Sequence, residues 1–149
     1  MYFDPENKVI RLCAAGMEKE SAENQEEALA LFMQGWEEAE NDFEKFIAAH
    51  YVARRQGTIE EKLIWDELSL QHALKIPGQE MKQNLPSLYL NLAKGLEDLG
   101  YAEQAAENYR LAHNYSEFLP NDGYGQMIQS GIEKGMERIK NKLTIQHGD

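Results

Sequence analysis

The sequence predicts an all-α protein of about seven antiparallel helices, paired as helix–turn–helix units, and three observations lead there. Apolar residues recur at helical spacing along most of the chain. Residues that cap helices stand where those apolar stripes begin. Runs of β-branched residues with alternating polarity, the mark of strands, are nearly missing.

The elements follow in order. "FDPENK" offers Asp4 as N-cap, Pro5 at the first helical position and Glu6 in the first turn, opening a helix to about Glu20. "EEALALFMQGWEEA" spaces Ala28, Leu31, Phe32, Gly35, Trp36 and Ala39 along one buried face. A third helix, Phe43 to Gln56, carries Phe46, Ile47, Ala49, His50 and Ala53, with Gly57 as its C-cap. Thr58 caps the fourth, with Glu61 completing a capping box. That helix, to about Lys75, is apolar on more than one side (Leu63, Leu70, Ala73 and Leu74, but also Ile64, Trp65 and Leu68), which predicts a helix sandwiched between neighbours. Pro77-Gly78 breaks the chain, Pro86 opens a fifth helix ending at Gly100, and a sixth runs from Tyr101 to about Phe118. After the turn "LPNDGYG", Ile128, Ile132, Met136, Ile139 and Leu143 form the stripe of a last helix, with Lys134, Arg138, Lys140 and Lys142 solvated around it.

Length and charge narrow the function classes. The chain of 149 residues fits one domain, 1–149. Its 15 Lys+Arg against 26 Asp+Glu give −11, and most of that lies in residues 1–44, with twelve acids and three bases. So acidic a protein repels phosphates, which argues against nucleic acid and an anionic membrane surface as partners. Solubility accounts for the excess, and a basic partner segment is the sharper alternative. Cys13 stands alone, so a reducing compartment, the cytoplasm, is expected. No segment reads as a signal peptide or reaches the length of a membrane span.

The plainest pattern is Tyr89-x-x-Leu92-Ala93-x-x-Leu96-x-x-Leu99-Gly100 followed by Ala105-x-x-x-Tyr109-x-x-Ala112. It resembles a tetratricopeptide repeat, a helix–turn–helix unit of 34 residues in which small residues sit where helices cross and large ones fill the groove. The template also lies over Leu12, Ala15, Gly16, Ala28, Phe32 and Gly35, and over Phe46, Ala49, His50, Ala53 and Gly57. Repeats are thus expected at about 9–42, 43–78 and 86–119, with a capping helix at about 123–145. The resemblance implies a short right-handed α-solenoid whose concave groove holds a peptide or helix of a partner protein. The groove positions it implies are Met17, Glu44, Ile47, Tyr51, Arg54, Leu90, Asn91, Lys94 and Glu97. Apolar members would hold side chains, and Arg54 and Lys94 would meet carboxylates. The family's clamp for chaperone C-termini is not matched, since its places hold Cys13 with Met17 and Ser87 with Asn91.

Catalytic signals are sparse. No phosphate-binding loop or dinucleotide fingerprint occurs, and Gly123-x-Gly125 lies in a turn where backbone conformation is its expected role. The histidines lack the spacing of helical metal ligands, so neither a metal nor another cofactor is expected. "AAHYVARRQG" sets His50, Tyr51, Arg54 and Arg55 on two turns, the one constellation an unrecognised helical enzyme would use. The repeat frame divides them instead: His50 faces the partner helix, Tyr51 and Arg54 the groove, and Arg55 its rim. A non-catalytic scaffold is therefore expected, with a homodimer, through the groove or the Trp36 face, as the alternative.

Overall fold

The computed structural model describes residues 4–146, and its side chains are described through Ile145. It is all-helical, with no strand among the described residues. Seven helices of twelve residues or more pack against neighbours in sequence order, an arrangement consistent with a helical repeat. A four-residue helical turn and a 3-10 turn complete them. By its contacts the chain divides into two compact units, Met1–Pro77 and Gly78–Asp149.

The first unit holds α1 (Lys8–Ser21), α2 (Gln25–Glu38), α3 (Asp42–Ala53) and α4 (Ile59–Ala73). Each opens on a side chain that takes up an otherwise unpaired backbone N–H, and the four caps, Asn7, Asn24, Asn41 and Thr58, follow one another at intervals of 17 residues. The first cap departs from the sequence expectation. Asp4 folds into a turn, accepting from Glu6 N–H at 2.9 Å, while Asn7 accepts from Val9 and Ile10 N–H. Gly57 does not cap α3 either: Arg54, Arg55 and Gln56 N–H tighten onto carbonyls three residues back, which ends that helix.

The core of this unit follows the small-and-large pattern. Phe32 is fully buried and lies against Gly16 so closely that a methyl group there would meet the ring. Burying such a ring contributes roughly 2–3 kcal/mol. Besides pairing with α2, α1 also touches α3, and α3 pairs with α4. Ser69 Oγ donates to the Phe46 carbonyl at 2.9 Å, satisfying a hydroxyl with no solvent access. Trp36 meets Trp65 edge-on at 5.1 Å and faces His72, whose Nδ1 lies 2.9 Å from Asp42.

The second unit holds α5 (Gln79–Lys82), α6 (Leu85–Asp98), α7 (Ala102–Asn114), a 3-10 turn (Ser116–Phe118) and α8 (Gly123–Gln146). Gly100 closes α6 at φ 88°, a left-handed position, and Tyr101 N–H reaches back to the Leu96 carbonyl as in a Schellman end. α7 stops at Asn114, short of the expected Phe118, because the chain tightens into the 3-10 turn. Here α6 pairs with α7 and also touches α8, as α1 does α2 and α3. Tyr109 is fully buried against Gly135, and Gly125 lies against the Pro120 carbonyl with no room for a Cβ.

Candidate partner-binding faces

In the first unit the candidate face belongs to α1 and α3. Met17 and Tyr51, 34 positions apart, occupy equivalent places on the two helices. Met17 is 41% exposed. Tyr51 is half-buried, stacks on Phe32 with ring centroids 5.3 Å apart and carries the Arg54 guanidinium 5.2 Å above its ring. Burial raises its hydroxyl pKa. Arg54 then donates to Glu20 at 2.9 Å, linking the next turn of α3 to the next turn of α1. The pairs 17/51 and 20/54 thus run along one shared face.

The arginines are held within the chain. Glu20, with a side chain only 11% exposed, meets Arg55 Nε at 3.1 Å as well as Arg54, and Arg55 also donates to Gln25. At the other end of the face, Asn7 Nδ2 donates to Glu44 at 2.8 Å and Glu40 N–H donates to it at 2.9 Å. Glu44 is buried, and so is Ile47. Glu44 therefore ties α3 to the cap of α1, and neither residue stands open to a partner. The open part of the face contracts to Met17, the outer edge of Tyr51 and Arg54.

His50 turns away from this face. Its Nδ1 is enclosed without a hydrogen-bond partner, and burial, with the charges of Arg54 and Lys62, lowers its pKa to about 4. Its ring meets Tyr51 edge-on at 5.4 Å, but no hydrogen bond joins His50, Tyr51 and the arginines into a proton-transfer chain. Cys13 is buried, and burial pushes its thiol up to about 12, far from a reactive thiolate. No group of three or more His, Cys, Asp or Glu residues able to hold a metal occurs among the described residues. No helix there is long and apolar enough to cross a membrane.

In the second unit the equivalent face belongs to α6 and α8. Leu90 is half-buried beside Gly131, where an added Cβ would lie 3.1 Å from it, and Asn91 is half-buried too. Lys94 pairs with Asp98 at 2.7 Å on the surface. Such a pair contributes about 0.3–0.5 kcal/mol, so a partner's carboxylate can exchange with Asp98 at little cost.

Glu97 is the exception. Its side chain is 2% exposed and accepts from Tyr109 at 2.6 Å, from Arg138 at 3.0 and 3.1 Å, and from Lys142 at 2.7 Å. Burial opposes its ionisation, but the hydrogen bonds from Arg138, Lys142 and Tyr109 outweigh that cost and bring its pKa down to about 2. The same contact, after burial, raises the Tyr109 hydroxyl, and it raises Arg138 as well. Arg138 and Lys142 are thus not merely solvated around the last apolar stripe. Their spacing of one helical turn puts both on one side of α8, the only sign of this pairing in the sequence, and does not name the anion they share.

No family model, curated protein or solved structure matches the chain.

Proposed function

We propose that this protein is a non-catalytic scaffold of tetratricopeptide-like repeats that binds a peptide or helix of another protein. The observation that carries the reading is the α1–α3 face, where Met17 and Tyr51 present apolar surface at equivalent repeat positions with Arg54 beside them. Both arginines are already ion-paired with Glu20, so the segment that fits is one offering apolar side chains, with polar contacts at its edges. Caps at 17-residue intervals support the family reading, because two such helices make one 34-residue unit. The cytoplasm is the location that goes with it, on the strength of a lone, buried, unpaired thiol.

The test is capture of partners from a lysate of the native organism by the wild type and by a Tyr51→Ala, Arg54→Ala, Lys94→Ala variant. Helical circular dichroism should be the same for both, and the partner retained by the wild type should be lost by the variant. Equal capture by the folded variant removes the assignment of these faces.

A further inference from the structure

α4 was expected to be sandwiched, and within its unit α3 and Trp36 of α2 cover it while one stripe stays open. Asp66, Ser69, Leu70 and Ala73 are buried, and the helix packs on α3. Trp65 and His72 turn towards Trp36 of α2, so the Trp36 face is occupied within the chain. The opposite stripe, at helical spacing, consists of Ile64, Leu68, Gln71 and, in the turn that continues the helix, Lys75. Ile64 is 57% exposed, Leu68 is half-buried, and Gln71 and Lys75 are exposed. The exposed acids Glu60 and Glu61 lie in the first turn of the helix.

We propose that this stripe is a self-association surface on which a second copy of the chain lays its own α4 in the antiparallel direction. The charge pattern argues for that occupant, because acids stand at one end of the stripe and a lysine at the other. An antiparallel copy, related by a two-fold axis between positions 67 and 68, sets Lys75 of each copy against Glu60 of the other, with Glu61 one step round. The axis also sets Ile64 of each copy against Gln71 and, a turn away, Leu68 of the other, so four apolar side chains close over one another. A parallel copy would set like charges together. Glu67 meets its own symmetry mate near the axis, which opposes association and keeps the dimer weak. So small an interface belongs with transient assemblies. It uses none of the residues of the α1–α3 face and stands whether or not that face binds a partner.

Sedimentation equilibrium of the full chain, from micromolar to millimolar concentration, tests it. The wild type should form a dimer that dissociates on dilution, and Ile64→Asp should weaken it at least about tenfold, since a carboxylate replaces the buried apolar contact. Lys75→Glu and Glu60→Lys should each weaken the dimer alone. The double variant should restore it, and the two single variants should pair when mixed, because each supplies the charge that the other now lacks. Glu67→Gln should tighten it. All these positions are exposed, on α4 or in the turn that follows it, so circular dichroism should stay unchanged. A chain that remains monomeric throughout the range overturns the proposal. So does a dimer indifferent to Ile64→Asp, which uses another surface, or a double variant no better than the single ones.

Discussion

Replacing Glu97 by Gln keeps the size of a buried side chain and removes its charge. The carboxylate receives four hydrogen bonds, two of them a fork from Arg138. A pKa near 2 instead of the ordinary 4.5 corresponds to about 3 kcal/mol at neutral pH. Arg138 and Lys142 are 43% and 48% exposed and rehydrate when the charge is lost, so a discounted cost of about 2 kcal/mol is expected. The buried Tyr109 hydroxyl keeps an amide acceptor in Gln and loses it altogether in Ala, so Glu97→Ala should cost about 1–2 kcal/mol more. Urea unfolding followed by circular dichroism reads these differences. The sign with pH is fixed by the lowered pKa. The wild type holds this stability above pH 4.5 and loses it as pH falls towards 2, so its advantage over Glu97→Gln should vanish over that window. Equal stability at neutral pH, or a gap constant down to pH 2, would refute the reasoning.

Other outcomes follow from single contacts. Gly135→Ala drives a methyl group into the buried Tyr109 ring and should cost about 1–3 kcal/mol in urea unfolding, whereas Gly131→Ala meets only the Leu90 side chain and should cost less. Cys13, its thiol raised to about 12 by burial, should resist a disulfide reagent at pH 8 while folded and react fully in denaturant. His50 is held near 4 against an ordinary 6.5, so the unfolded chain takes up its proton first and stability should fall as pH drops between those values. His50→Gln should flatten that part of the pH profile, and an NMR titration of the ring should give a midpoint well below 6.

What the sequence discloses divides along the range of the interactions. Helices were legible because Phe32, Phe46, Leu92 and Ile132 recur at spacings set by their own segments. The Thr58 cap and the Gly100 end were legible for the same reason, being made within one turn. The cap of α1 was not. Asp4 and Asn7 are equally good caps in isolation, and Asn7 also serves Glu44, 37 residues away. Glu97 shows the same limit more sharply. Template position put it on a groove face, but its role depends on Arg138, 41 residues on, and Lys142, 45 residues on, and no periodicity names a partner at that distance. The arginines of "AAHYVARRQG" are paired with Glu20, which comes from a different helix and which no local pattern names.

The even spacing of the caps also bears on how such a chain can lengthen. Asn24 and Thr58 stand at matching points of successive helix pairs, as do Asn7 and Asn41. A stretch of coding sequence cut between either pair and copied in tandem would rejoin helix to turn in phase, with every new helix arriving already capped. Growth by whole cassettes then needs no compensating change at the junctions. Loss or gain of another length within a helix would shift the buried stripe off its face and cost stability.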